Sequence, residues 1–177
     1  GGMYTTPKTV SAFTSADNSV QYIRHAEPKQ VISEATADLM NKLLQGVVAM
    51  GGTGERAACS DIDIAGKTGT TEESNDVWFS GYSPNYTATV WAGYDNSVDL
   101  TTSEEQNLAK TIWRAVMEDL PGNQDWQEFE EPDGIVRRTV CKVSGQAPFS
   151  GVCPAVTEYF DEDTEFDSDN YCDYHYE

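Results

Sequence analysis

A lysine set among hydroxyl residues and glycines, Gly66-Lys67-Thr68-Gly69-Thr70, follows directly on the run Asp61-Ile62-Asp63-Ile64-Ala65. A strand ending this way offers a cation, two hydroxyls and, at Gly69, a backbone edge free of side chain. Such a set suits a substrate that carries a carboxylate beside a reactive carbonyl. Gly66-Lys67-Thr68 also ends the phosphate-cradling loop of nucleotide-binding proteins, which needs a glycine five residues before Gly66 so that backbone amides can wrap the phosphates. That position holds Asp61, whose carboxylate repels a triphosphate. For the short motif standing alone, a strand-to-turn junction with a solvated lysine would be the better account. The surrounding sequence decides.

Downstream lie Asn75-Asp76-Val77-Trp78-Phe79-Ser80-Gly81-Tyr82-Ser83-Pro84 and Ala88-Thr89-Val90-Trp91-Ala92-Gly93-Tyr94-Asp95. With the Lys67 element, they resemble the C-terminal half of the transpeptidase domain of class A, bifunctional penicillin-binding proteins, where a Lys-Thr-Gly strand lines the cleft. The opening Gly1-Gly2-Met3-Tyr4 resembles the Asn-Gly-Gly stretch that precedes this half. The tail, with Cys141, Ser144-Gly145, Cys153-Pro154, Tyr159-Phe160 and Cys172, is similar to that of some Gram-positive members. The resemblance runs almost end to end and is far more specific than the lysine motif alone. Family members also need a Ser-x-x-Lys nucleophile segment and a Ser-x-Asn segment. Here Ser33 is followed three residues on by Thr36 and Ser144 by Ala147, so the nucleophile is expected upstream of this chain.

The resemblance implies a role for each motif residue. Lys67 would supply positive potential and hydrogen-bond the serine of the missing Ser-x-Asn segment. The hydroxyls of Thr68 and Thr70 would bind the terminal carboxylate of a D-Ala-D-Ala stem peptide, or its counterpart in a β-lactam antibiotic. Gly69 would let the substrate backbone lie close. The Thr70 amide would be one oxyanion-hole donor, a group whose loss typically costs on the order of 10²–10³ in rate. Trp78 and Tyr82 are expected to be mostly core aromatics with a polar edge. Glu72, Glu73 and Asn75 fall in a connecting loop that can border the substrate path, although loop acids are usually just solvated.

Composition narrows the field. The 177 residues can hold one domain with a core, or a domain plus an appendage. A formal charge of −19 argues against nucleic acid and anionic lipid as partners. From Trp126 onward there are 13 acidic against 3 basic residues, so acidity concentrates in the tail, as a solvated extracellular surface would have it. No apolar run approaches a membrane span and no secretory signal opens the chain. The resemblance implies anchoring at the outer face of the cell membrane, through an upstream segment.

Hydrophobic patterning predicts an α+β fold, an antiparallel sheet with packed helices, which agrees with the transpeptidase fold that the resemblance implies. Residues 4–13 and 19–24 are β-rich runs flanking Asp17-Asn18, a hairpin signal. Ser33 is a good N-cap for a helix carrying Leu39, Met40, Leu43, Leu44, Val47 and Val48, stopped by Gly51-Gly52. Strands follow at 62–70, 77–82 and 87–94, the last two joined by Ser83-Pro84-Asn85 and so antiparallel. Thr102 and Glu105 form a capping box for a second helix, with Leu108, Ile112, Ala115, Val116 and Leu120 on one face and a stop at Pro121-Gly122. The expected division is 1–122 for the transpeptidase part, 123–133 for an acidic linker with little to dock, and 134–177 for a cysteine-containing tail.

Cys141 and Cys153 enclose a short loop, and an oxidising exterior favours a disulfide between them, contributing about 3 kcal/mol in the chain-entropy model. Cys172 and His175 form a Cys-x-x-His, so Cys141, Cys153, Cys172 and His175 can instead hold zinc, and free thiols are the third state. The disulfide comes first here, so no metal and no cofactor is assigned. Cys59 reads as a small buried hydrophobe. The acidic run 161–169 lacks the glycine turn and spacing of a calcium loop and reads as a solvated face.

The resemblance implies acyl transfer as a peptidoglycan D,D-transpeptidase acting on stem peptides, completed by the upstream part of the same domain and probed by β-lactams. Two rivals stand beside it. One keeps the fold but resolves the acyl-enzyme with water, as a D,D-carboxypeptidase or β-lactamase; the other is a non-catalytic wall-binding module.

Overall fold

The computed structural model describes residues 1–19, 21–23, 25–120 and 126–175. Short strands open it: β1 (Met3–Tyr4), β2 (Ala12–Thr14), β3 (Gln21–Ile23) and β4 (Lys29–Gln30). β1 pairs with β4, and β2 with β3, both antiparallel. Asn18 makes the hairpin turn with φ 59, a conformation asparagine tolerates better than most residues. The expected hairpin is present, although Val20 and Arg24 of its second run lie outside the described residues.

Helix α1 (Glu34–Val48) starts where Ser33 Oγ accepts the Thr36 N–H. After it come β5 (Ala65–Thr70), β6 (Asp76–Tyr82), β7 (Thr87–Gly93) and helix α2 (Ser103–Asp119). The three strands form one antiparallel sheet in the order β5-β6-β7, with Lys67 opposite Ser80, Gly69 opposite Trp78, and Trp78 opposite Trp91. The capping box is formed: Thr102 Oγ1 accepts the Glu105 N–H, and Glu105 Oε2 accepts the Thr102 N–H. The helix stop at Pro121-Gly122 lies outside the described residues.

Alternation on β6 sends Val77, Phe79 and Gly81 toward the helices. Phe79 meets Trp113 of α2 edge-on at 5.1 Å, and both are fully buried. Trp113 Nε1 donates to the Ala88 carbonyl, so its one polar atom is satisfied. Gly66 and Gly81 face each other across β5 and β6. A Cβ at either would stand under 3 Å from the Phe79 ring, and one on Gly81 would also strike Trp113. Bulk at Phe79 and Trp113 thus requires glycine at both flanking positions.

The buried face of α2 differs from the expected one. Ala109, Trp113 and Met117 face the sheet, while Leu108, Ile112 and Val116 are exposed. Both rows have i, i+4 spacing, so periodicity alone does not separate them; the Trp113 row wins because it fills the space over Phe79 and Gly81. On α1, likewise, Val48 is buried but Met40 and Leu43 stand open.

The tail forms a hairpin of β8 (Ile135–Cys141) and β9 (Ala155–Asp161). Of the expected linker, residues 126–133 are described, and Trp126 to Glu131 are docked. Trp126 packs edge-on against Tyr86, Phe129 against Tyr82, and the Phe129 N–H donates to Asp63 Oδ2. Two aromatic anchors suffice to seat a segment whose acidic composition suggested a free strand of chain. Glu131 then bridges Lys42 of α1, at 3.1 Å, to Arg137 of β8 at 2.8 Å. The expected boundary at 122/123 itself lies outside the described residues.

Candidate active site

Strand β5 is the outer strand of its sheet among the described residues, so half of its backbone groups are open. Which half follows from the end of the ladder. The Thr71 N–H donates to the Asp76 carbonyl, and in an antiparallel pair alternate residues turn their backbone groups to the partner. Gly69 and Lys67 therefore face β6 with theirs, and Thr70 and Thr68 turn theirs to the open edge. Lys67 Nζ marks that edge, donating to the Thr68 carbonyl at 3.0 Å and lying 3.5 Å from Thr68 Oγ1. The Lys67 ammonium, the Thr68 hydroxyl and the direction of the Thr70 amide thus converge on one open strand edge. Thr70 itself is exposed.

Thr68 Oγ1 also lies 3.1 Å from Thr53 Oγ1, in the loop after α1. Lys110 of α2 donates to the Thr53 carbonyl, bringing a second cation behind the edge. Burial pushes the Lys110 pKa down, with the nearby Arg56 charge adding to it. Lys110 and Arg56 thus stand near each other in a chain whose formal charge is −19. Thr53 and Lys110 were not singled out in the sequence, since neither belongs to a short motif and only the fold carries them to β5.

Gly69 has a neighbour that the sequence did not reveal. Trp78 stands directly opposite, and a Cβ on Gly69 would lie 3.1 Å from the Trp78 Cβ. Trp78 is not a core aromatic: it is 43% exposed, beside Trp91 at 6.3 Å. The reason is parity, since Phe79 takes the inward position and Trp78 must then point out. Asp76 fixes this aromatic pair, with Oδ1 accepting Trp91 Nε1 at 2.9 Å and Oδ2 accepting the Thr71 hydroxyl at 3.1 Å. The outer face beside Lys67 thus carries a small aromatic wall next to Gly69, which has no side chain.

Tyr82 behaves as expected, half-buried with its hydroxyl donating to Asn41 Oδ1, and burial raises its pKa. Glu72 and Glu73 are exposed in the turn after Thr70, at the same end as the open edge. Ser83-Pro84-Asn85 has the letters of a Ser-x-Asn segment but caps the β6–β7 turn, Ser83 Oγ accepting the N–H groups of Asn85 and Tyr86. Cys59 is packed against the core, and burial pushes its thiol up to about 11, which suits a small hydrophobe rather than a nucleophile. The disulfide expected between Cys141 and Cys153 is not formed: all four cysteines are free, and the two converge with Cys172 on His175 Nδ1.

An antiparallel sheet backed by helices thus leaves a lysine–threonine–glycine strand open at its edge. The penicillin binding protein transpeptidase domain matches residues 1–118, and the C-terminal domain of penicillin-binding protein 1A matches residues 131–177. The chain belongs to the penicillin-binding protein transpeptidase family. It is 38% identical over 139 residues to penicillin-binding protein 1A of Pseudomonas aeruginosa, covering 77% of this chain and 17% of that protein. It is 30% identical over 147 residues to penicillin-binding protein 1A of Clostridium botulinum, covering 83% and 18%. With penicillin-binding protein 1A/1B of Bacillus subtilis it shares 32% over 180 residues, covering 90% and 19%. The crystal structure of penicillin-binding protein 1A from Haemophilus influenzae superposes with a TM-score of 0.72 at 22% identity, covering 94% of this chain and 30% of that one, which shows the fold. The chain thus spans about a fifth of the length of the curated relatives it matches.

Proposed function

We propose that this chain is the C-terminal part of a peptidoglycan D,D-transpeptidase, and that its β5 edge receives the donor stem peptide. The observation that carries this reading is the convergence of Lys67 Nζ and Thr68 Oγ1 on an edge to which the Thr70 amide also points. Lys67 and the hydroxyls of Thr68 and Thr70 hold the terminal D-Ala carboxylate. The Thr70 N–H donates to the carbonyl oxygen as it becomes an oxyanion. A serine on an upstream segment attacks the penultimate D-Ala carbonyl, its proton passes to the departing D-Ala amine, and an acyl-enzyme remains. The amine of a neighbouring stem peptide then attacks this ester, releasing the serine and forming the cross-link. A β-lactam enters the same edge through its carboxylate and stops at the acyl-enzyme.

The upstream part of the same domain is the first partner, and the exposed apolar rows at Met40 and Leu43 of α1 and at Leu108, Ile112 and Val116 of α2 support a larger fold. In the parent protein an upstream membrane anchor and a glycosyltransferase domain place this activity at the outer face of the cell membrane. No helix among the described residues is long and apolar enough to cross a membrane. The proposed organisation is a transpeptidase part to about residue 122, a connecting segment to 133 and the tail beyond it.

The test uses the complete parent enzyme. Lys67→Ala removes a charge-assisted hydrogen bond and lowers the second-order rate of acylation by penicillin by about 10- to 150-fold, with an unchanged melting temperature. Thr70→Val has a milder effect, because its amide remains. Parental acylation by a folded Lys67→Ala enzyme would make Lys67 a surface lysine.

A further inference from the structure

Three turns of the tail deliver four metal-ligating groups to one point. Cys141 ends β8 in a turn closed by the Gly145 N–H on the Cys141 carbonyl, with Gly145 at φ 74. Cys153 ends a turn closed on the Phe149 carbonyl, and its Sγ accepts the Phe149 N–H at 3.3 Å. Cys172 is held by its N–H on the Ala147 carbonyl, and the chain then turns so that His175 faces it. Phe149 stacks on Tyr171 at 4.8 Å, locking the second turn to the third.

The resulting distances have the dimensions of a coordination shell. Cys172 Sγ lies 3.4 Å from Cys141 Sγ, and His175 Nδ1 lies 3.6, 3.5 and 3.1 Å from the sulfurs of Cys141, Cys153 and Cys172. All four ligand atoms lie within 4.8 Å of one another. A tetrahedral zinc with sulfur at about 2.3 Å and nitrogen at about 2.0–2.1 Å spans edges of about 3.8 Å between sulfurs and about 3.6 Å from sulfur to nitrogen. A disulfide would join two of the sulfurs and leave the third and the imidazole with no reason to converge. One nitrogen within 3.1–3.6 Å of three sulfurs suits a shared cation.

Burial points the same way. Between 134 and 175 the buried residues are Val140, Cys141, Ala147 and Cys172. Two of these four are ligands, so this module's centre is its ligand cluster rather than an apolar core. A unit of this size ordinarily needs a cross-link or a metal to hold its fold.

We propose that Cys141, Cys153, Cys172 and His175 bind a divalent zinc ion, as three thiolates and one imidazole through Nδ1, in a closed structural site. Binding releases the thiol protons to solvent, and no position is left for substrate. The Phe149 N–H stabilises the Cys153 thiolate from outside the shell. This site stands independently of the transpeptidase reading, because it shares no residue with the β5 edge.

The test measures metal on the full 177-residue chain. Purified under reducing conditions and offered zinc chloride, it retains one zinc per chain, and cobalt in its place gives the absorption of a tetrahedral thiolate complex. Cys172→Ser weakens zinc binding by more than about 100-fold, beyond what losing a merely supporting group costs, whereas Cys59→Ser leaves it unchanged. His175→Cys, which keeps four ligands, retains zinc and shifts the cobalt spectrum. This second variant decides the matter should Cys172→Ser fail to fold. A reduced chain that takes up neither metal overturns the site. So does a zinc-free native chain lighter by the two hydrogens of a disulfide, or a His175→Cys chain whose cobalt spectrum is that of the parent.

Discussion

The β5 edge and the tail cluster place reactive side chains in opposite ways. At β5 the candidate groups sit on an open strand edge, and the sheet is packed from behind by Phe79, Trp113 and Met117, all three buried. In the tail the functional groups are themselves the buried centre, with Cys141 and Cys172 fully enclosed. On the proposed reading the edge admits a peptide and so cannot be its own core, and its rigidity comes from elsewhere in the sheet. A site that admits nothing can be both ligand set and core. On the two proposed readings, the same property, convergence of polar groups, serves binding in one region and folding in the other.

The largest expected effect separates the two regions by metal. A strong chelator removes a binding free energy on the order of 10 kcal/mol in comparable small zinc units. Hydrogen exchange should then show loss of protection at β8 and β9 while β6 keeps its own. Equal loss in both would mean that the tail supports the sheet, and the contrast fails.

Trp113→Ala does the reverse. It opens a cavity beneath Phe79 and should cost the sheet domain about 3–5 kcal/mol, read as a lower urea midpoint, with zinc stoichiometry in the tail unchanged. If the cost is below 1 kcal/mol, the sheet is not packed from behind as described.

Asp38 of α1 sharpens the picture of the support, since it is 2% exposed and neither carboxylate oxygen has a partner. Burial raises its pKa above the ordinary 3.8, with the Lys42 charge opposing and Glu131 adding. A carboxyl raised in the folded state leaves stability intact below its unfolded value and lowers it as pH rises through the folded one. Asp38→Asn should therefore stabilise the protein near neutral pH, read as a higher melting temperature, and the gain should vanish below pH 3.8. A gain independent of pH would remove the carboxylate from the account.

The smallest effect concerns the segment between the regions. Phe129→Ala loses the edge-on contact with Tyr82, worth about 0.5–1.5 kcal/mol, and should raise the rate of proteolytic cleavage within 126–132. An unchanged rate would mean that Trp126 and Glu131 hold the segment without it.

The sequence by itself determined the three-strand meander, both helix starts, the Lys67 element and the family, because those signals are local: period-two alternation, capping residues and short motifs. Only the tertiary structure decided which row of α2 is buried, since Leu108-Ile112-Val116 and Ala109-Trp113-Met117 have the same spacing and differ in what the sheet presents to them. It likewise turned Trp78 outward, brought Thr53 and Lys110 to β5, and docked 126–131 on the sheet. For the cysteines the sequence left disulfide, thiol and zinc open, because spacing along the chain does not say which atoms meet. The fold brings three sulfurs and one nitrogen to one point, a relation among four residues separated by as many as 34 positions. Local chemistry is written in neighbours along the chain, whereas convergence across such distances exists only once the turns that close it have formed.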